Sequence, residues 1–391
     1  MKIAYFTDTY IPQVNGVTYV VDTHARFLAK KNKVRIYAPA YGLRSSIERL
    51  EKGNLIIERY PSGPVIYYKE VHIPFVDIGK MYRSVKKFNP DVIHFHTPLT
   101  IGISSMIIAK YLKIPLITTY HTLWSETLPP LPPFRVINSF FRNQIGQDDL
   151  LRDTIWKVSN KIFDYCDVII SPANIIKDEL ILHNSKSKIV VISNGVDTNK
   201  FVPKIRTKTN FRILYIGRLS AEKNVDVIIK AFKIIRKKIN EATLEIVGDG
   251  PAAKTLKILV KKLGLTKMVV FCGYVPREKL VSYYNRCDIF ATGSAMEVQP
   301  LTVLEAMSCG LPIVGINKAG VAGMIKNGVN GFLIPTPNSH KMADKIIEIL
   351  VDDGLRAKMG KYNRKIALKN RPNLSIKKLE RLYKDILHFG E

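Results

Sequence analysis

Cysteine is scarce in this chain of 391 residues, and the four it has (Cys166, Cys272, Cys287 and Cys309) are scattered with no paired spacing. That excludes a disulfide framework and a cysteine-based metal site, and points to small buried thiols in a reducing compartment. Long apolar runs are missing as well. The most apolar stretch, Ile101 to Thr119, is interrupted by Lys110, Lys113 and Pro115, which argues against a membrane-spanning helix there. Met1-Lys2 leads straight into the strand-like IAYF, without the layout of a secretory leader. A cytoplasmic location is the expectation. Nor is there a helix-turn-helix, a zinc-finger spacing or an RNA-binding aromatic motif, so no nucleic-acid partner is expected.

Acid is the other shortage: 33 Asp and Glu face 60 Lys and Arg, for a net charge of +27. Residues 1–200 carry 26 basic and 17 acidic groups, a net of +9, and residues 201–391 carry 34 and 16, a net of +18. The excess is general rather than gathered in one basic arm. Such a field favours polyanions (nucleic acid, anionic lipid or phosphate-bearing substrates) without choosing between them.

What is present is a globular α/β pattern, long enough for two domains. KIAYFTD, KVRIYAP, DVIHFHT, LITTYHT, DVIISPA and KIVVISN are strand candidates in the first half, and FRILYIGR, TLEIVGDG, MVVFCGYV, DIFATGS and PIVGIN in the second. Each is continuously apolar, as expected of parallel strands covered on both faces, with helical patterns between them. The chain also echoes itself: YCDVIISPA (165–173) and RCDIFATGS (286–294) both run from Cys-Asp into an apolar strand. The polar stretch from 195 to 210 reads as a linker. Domains are expected over 1–198 and 199–374, with a last helix in 375–391 that could pack back across the boundary.

Three segments carry chemistry. In TDTYIPQVNGVTYVV a strand ends at Asp8, and Gly16 stands before a helix, where backbone N–H groups can approach a phosphate. In YIGRLSAEKN, Arg218 and Lys223 lie on the loop between a strand and a helix, which suits a diphosphate clamp and suits two solvated cations equally. In AMEVQPLTVLEAMSCGLP, Glu297 and Glu305 stand eight positions apart around Pro300. With a helix opening at Pro300, the two carboxylates bracket a helix end that favours anions.

As an ordered set these segments resemble the retaining glycosyltransferases of family four. The resemblance rests on TDTYIPQVNGV, YHT (120–122), SNGVDTNKF, GRLSAEKN, VGDGP, the E-x7-E pair, EAMSCGLPIV and NGVNGFL. It implies the GT-B fold, two Rossmann-like parallel-sheet domains facing across a cleft. It also implies a nucleotide diphosphate sugar as co-substrate, with no metal and no other cofactor. Gly16 would let the first loop pass close to the donor diphosphate, and Arg218 and Lys223 would neutralise it. Glu297 would accept hydrogen bonds from the transferred sugar, and Glu305 would hold the ribose. Val298, Gln299, Leu301 and Thr302 would complete the donor contacts. His121 would touch the donor sugar at the reacting centre, whereas His94 and His96 read as structural. The family often has glycine where this chain has Pro300, which brings no N–H. The donor sugar therefore stays open.

For the acceptor, DIGKMYRSVKKFNP (77–90) reads as a short helix with Ile78, Met81, Tyr82 and Val85 on one side and Lys80, Arg83, Lys86 and Lys87 around the rest. That composition suits an interfacial helix on anionic lipid, and equally a surface helix with its apolar side in the core. The apolar, proline-rich LWSETLPPLPPFRVINSFF (123–141), with Trp124 and Phe134, follows directly on His121 and Thr122. Among family members the chain looks most like enzymes that glycosylate diacylglycerol or related lipids. The expected partners are therefore a lipid acceptor and an anionic membrane surface. A soluble transferase acting on a polysaccharide or small molecule is the alternative.

Overall fold

The computed structural model describes residues 1–65, 68–127, 150–183, 185–204, 211–335 and 337–388. The chain divides into two compact units, Met1–Asn194 with Pro372–Glu391, and Gly195–Arg371.

The first unit opens with β1 (Lys2–Phe6), α1 (Gly16–Ala29) and β2 (Lys33–Pro39), followed by β3 (Ser46–Leu50) and β4 (Leu55–Tyr60). A small antiparallel pair, β5 (Ser62–Val65) and β6 (Tyr68–Pro74), precedes α2 (Ile78–Phe88). Then come β7 (Val92–Phe95), α3 (Thr100–Leu112), β8 (Leu116–Thr119), β9 (Val168–Ser171) and β10 (Lys188–Val191). The large sheet runs β10-β9-β8-β7-β1-β2-β4-β3, parallel except where β3 pairs with β4. The second unit holds β11 (Arg212–Ile216), β12 (Thr243–Val247), β13 (Val269–Gly273), β14 (Ile289–Thr292), β15 (Ile313–Ile316) and β16 (Gly331–Ile334), in the order β13-β12-β11-β14-β15-β16 and wholly parallel. In both sheets the strand order reverses beside the first strand, between β1 and β7 and between β11 and β14. Ligands of such sheets bind beyond the C-terminal strand ends at that point.

The strands that were not expected are β3 to β6 and β16. β4 reads LIIERY, and its Glu58 and Arg59 look unsuited to a buried strand. Both are buried because they are partnered. Glu58 accepts from Tyr60 and Ser84 and faces Arg35 at 3.6 Å, while Arg59 donates to the carbonyls of Ile11 (2.8 Å) and Pro39 (3.0 Å).

An aspartate just before a strand recurs with one function. Asp91 precedes β7, accepts from the N–H of Lys2 (2.7 Å) and donates its own N–H to the Lys2 carbonyl (2.8 Å). Asp288 does the same to Arg212 at the start of β11 (2.9 and 2.8 Å), and Asp167 to Leu116 at the start of β8 (2.7 and 2.8 Å). Each pins the first residue of a neighbouring strand. The Cys-Asp echo therefore marks a shared local device rather than equivalent strands. The counterpart of β14 is β7, which is preceded by Pro90-Asp91, whereas the echo falls before β9.

The last helix, Pro372–His388, belongs to the first unit. Ile376, Leu379, Leu382 and Tyr383 are buried in one core with Val21, Ala25 and Leu28 of α1. The Tyr383 hydroxyl meets that of Tyr5 on β1 at 3.1 Å.

In α2 the apolar side faces inward: Met81, Val85 and Phe88 are buried in a core with Phe6, Tyr37 and Phe95. Those apolar side chains are thus the protein's own core and are not available to lipid. Lys80, Arg83, Lys86 and Lys87 all point outward. Asp77 caps the helix by accepting from the N–H of Lys80 at 2.9 Å. Trp124 is half-buried at the start of a four-residue helix, and Phe134 lies outside the described residues.

Candidate active site

In the second unit the loop after β11 carries Gly217-Arg218-Leu219-Ser220 into a helical turn at Ala221–Lys223, and Asn224 in left-handed conformation redirects the chain into the helix Val225–Lys238. Asn224 donates its side-chain amide to the Gly293 carbonyl, just past β14, at 2.9 Å. This ties together the ends of the two strands that flank the switch point. Lys223 and Glu297 form an ion pair there, and the Ser294 hydroxyl lies 3.4 Å from both the Lys223 Nζ and a Glu297 oxygen. Ser294 is buried, whereas Lys223 and Glu297 keep part of their surface. Arg218 is exposed on the same loop, whose turn is held by the Tyr215 hydroxyl donating to the Arg218 carbonyl (2.9 Å). The structure brings two of the sequence candidates, Lys223 and Glu297, into direct contact and adds Ser294, which the sequence did not single out.

Proline opens the next element, as its fixed φ and missing N–H favour. Pro300 is the N-terminal flanking residue of the helix Leu301–Ser308. Val298 and Leu301 are buried, while Gln299 and Thr302 retain partial exposure. The backbone of Glu297 and Val298 is held from behind. Gly320 donates its N–H to the Glu297 carbonyl (2.7 Å), and a Cβ at Gly320 would stand 1.9 Å from the Val298 carbonyl oxygen. Only glycine fits at that distance. In the sequence, Gly320 of KAGVAG is one of 23 glycines and carries no sign of this role.

Glu305 is placed differently from Glu297. It is 1% exposed, forms an ion pair with Arg277, and accepts from the Tyr284 hydroxyl at 2.8 Å. Burial raises its carboxyl above the ordinary value, against the lowering by Arg277, the Tyr284 hydrogen bond and Lys200. A ribose hydroxyl reaching Glu305 would have to share it with Arg277.

In the first unit Gly16 is exposed as the first residue of α1. The preceding loop is rigidly built: Asn15 caps the helix through the N–H of Thr18 (2.8 Å) and donates to Thr9 (2.8 Å), while Thr9 and Tyr41 both donate to Gln13 (2.6 and 2.9 Å). Asp8 turns away from solvent to cap α3, accepting from the N–H groups of Leu99 (3.1 Å), Ile101 (2.7 Å) and Gly102 (3.3 Å) and from the Thr97 hydroxyl (2.8 Å).

His121 follows β8 and keeps some exposure; its Nε2 lies 3.0 Å from the Nδ1 of His96, which follows β7. His94, buried on β7, meets the Tyr383 hydroxyl (2.7 Å) and the Thr119 hydroxyl (2.8 Å). Burial is the main cause that lowers all these imidazoles, helped by the nearby His24. His121 falls to about 3, and His94 and His96 fall well below the ordinary value. His24 itself falls to about 4. The cluster is therefore neutral near pH 7. His121 and His96 must then hydrogen-bond as one donor and one acceptor, which couples the two tautomers.

Comparison with known proteins gives one consistent answer. The family model "Glycosyltransferase Family 4" matches residues 14–200, and "Glycosyl transferases group 1" matches residues 196–366. The alpha-monoglucosyldiacylglycerol synthase of Streptococcus pneumoniae is 28% identical over 90% of this chain and 78% of its own length. That of Acholeplasma laidlawii is 26% identical over 85% and 84%. Among solved structures, the Anabaena protein HepE in complex with UDP superposes with a TM-score of 0.74 at 19% identity, covering 98% of this chain and all of its own.

Proposed function

This chain belongs to the family-four glycosyltransferases of GT-B fold, and from that premise we propose that it moves a hexose from a nucleotide diphosphate sugar to a membrane lipid at the cytosolic leaflet, with retention at the anomeric carbon. The observation that carries the donor half is the Lys223–Glu297–Ser294 cluster at the switch point of the second sheet. Carboxylates pair well with sugar hydroxyls, and a lysine beside an exposed arginine suits a diphosphate. Lys223 and Glu297 neutralise each other in the structure. On donor binding Lys223 turns to the diphosphate and Glu297 to the sugar hydroxyls.

Arg218 and Lys223 stabilise the charge that builds on the departing nucleotide diphosphate, as fixed cations do in a preorganised site. Glu305 holds the ribose, and Val298, Gln299, Leu301 and Thr302 line the donor's path. Gly16 admits phosphate near the start of α1, and His121, neutral near pH 7, contacts a sugar hydroxyl. The acceptor hydroxyl attacks C1 from the face the diphosphate leaves. The C1–O(phosphate) bond breaks as the new C1–O bond forms, and the acceptor proton passes to the departing phosphate oxygen. Neither a metal nor a further cofactor is assigned a step.

The lipid acceptor is supported by the two similar relatives named as diacylglycerol glucosyltransferases and by the exposed cations of α2. The test offers purified protein UDP-, GDP- and ADP-sugars, with and without vesicles containing diacylglycerol, and reads released nucleotide and lipid-linked sugar by mass. Release that requires the vesicles, with an α-linked sugar on the lipid, is the expected result. A glycoside on a soluble acceptor in the absence of lipid overturns the acceptor assignment. An inverted anomer overturns retention.

A further inference from the structure

Helix α3 is apolar on its outward side as well as its inward one. Its buried side is largely small or hydroxylated: Gly102, Ser104, Ser105 and Ala109 lie inward with Ile101 and Ile108. The two serines satisfy their hydroxyls on the helix's own carbonyls, at Thr100 (2.7 Å) and Gly102 (2.6 Å). Its outward side is apolar. Leu99, just before the helix, is 38% exposed, Ile103 45%, Ile107 41% and Tyr111 76%. At four-residue spacing and ~100° per residue these fall within an arc of about 120° and run about 18 Å along the axis. A water-facing helix would carry its polar residues there, and single exposed apolar residues need no account. An ordered stripe does.

The surroundings extend the stripe and give it a charge. Thr100 donates to the Pro74 carbonyl at 3.1 Å, which puts Ile73 and Phe75, 44% and 57% exposed, at its N-terminal end. Helix α2 packs alongside, with Lys80, Arg83, Lys86 and Lys87 exposed, and Lys110 falls on the same outward arc, between Leu99 and Ile103. There is no Asp or Glu from Ile78 to Pro90, nor from Val92 to Ser125. Asp77, at the start of α2, and Asp91, at the start of β7, are engaged by the N–H groups of Lys80 and Lys2.

We propose that the outward face of α3, with the cations of α2 beside it, is the surface by which this protein lies on an anionic lipid bilayer. Apolar side chains enter the acyl boundary while lysines and arginine meet anionic headgroups. The division of labour differs from that of a single amphipathic helix: α2 supplies charge and α3 supplies the apolar contact. This deepens the lipid-acceptor reading and rests on it for its purpose, though its test does not need the acceptor.

The full chain is sedimented with vesicles of phosphatidylcholine alone or mixed with phosphatidylglycerol, both free of diacylglycerol. The wild type is expected to partition onto the anionic vesicles only, and less so at high salt. The double variant Ile103→Ser/Ile107→Ser is expected to lose roughly ten-fold or more of that partitioning at an unchanged Tm. Tyr111→Ser, at the most exposed position, provides a milder second variant with a smaller loss. A double variant that partitions like the wild type overturns the proposal, as does a wild type that ignores anionic vesicles while glycosylating diacylglycerol in detergent. A concentration-dependent dimer abolished by the variant would assign the face to a second copy and also overturn it. Binding here, with no glycolipid formed when sugar nucleotides and diacylglycerol-containing vesicles are supplied, supports the surface and removes the acceptor reading instead.

Discussion

Lys223 and Glu297 are 74 residues apart in the chain and pair their side chains where the strand order of the second sheet reverses. The pair keeps partial access to water, and its contribution to folding is small, within about 1 kcal/mol. Its chemistry is where its value lies. Lys223→Ala and Arg218→Ala are each expected to lower kcat by roughly 10²–10³, the scale of losing one preorganised charge at a leaving group. The melting temperature should stay within a few degrees. Near-normal turnover in either variant would remove the clamp role.

Gly320 gives a steric prediction. Its substitution by alanine places a methyl group 1.9 Å from the Val298 carbonyl oxygen and 2.6 Å from that of Glu297. Backbone must move, at a cost of about 1–3 kcal/mol. Gly320→Ala should lower Tm and raise the donor KM together, because the displaced segment is the one that presents Glu297. An unchanged KM would show that the 297–299 backbone does not set donor binding.

Arg277 tests the assignment of Glu305. Arg277→Leu leaves a buried carboxylate without its cation, which costs on the order of 3–5 kcal/mol. Glu305→Gln in the same background should recover part of that, since a neutral amide no longer needs the charge. Urea unfolding of the single and double variants measures both. Full additivity would mean that the two side chains do not act as a pair.

The histidines predict acid sensitivity. His24 is neutral in the folded state because burial lowers it to about 4 from the ordinary 6.5, and His121 is lowered to about 3. The unfolded chain takes up protons below about pH 6.5 while the folded chain does not, so stability falls as pH drops from about 6.5 towards 4. The loss from His24 levels off once its folded form also protonates. For one such group it amounts to about 3 kcal/mol. Denaturant unfolding at pH 7.5, 6 and 4.5 follows the trend, and His24→Gln should flatten part of it. Stability that holds steady across that range would contradict the buried, neutral cluster.

The parallel core strands were legible because burial on both faces makes them continuously apolar, as in IAYF of β1 and VIIS of β9. The strands that escaped carry charge, as in LIIERY of β4, or are four residues long and open on glycine, as in GFLI of β16. Lys223 and Glu297 were legible as an ordered set of motifs. Ser294, Asn224 and Gly320 were not, because a serine, an asparagine and a glycine acquire these roles only through what stands opposite them. The basic helix was visible as a pattern, but which of its sides faces water was not.

Composition and periodicity alone determined the class of fold, the two-part organisation of the α/β pattern and the excess of positive charge. These follow from local properties: apolar runs, helical spacing and residue counts. Tertiary structure alone decided that Glu297 faces Lys223 while Glu305 is enclosed by Arg277 and Tyr284, although both are glutamates eight positions apart. It also decided that Met81, Val85 and Phe88 of α2 turn inward, while α3 buries Ile101 and Ile108 and leaves Ile103, Ile107 and Tyr111 outward. The physical reason is that burial and pairing belong to the neighbour across the sheet or beside the helix, and that neighbour lies tens to hundreds of residues away in the chain.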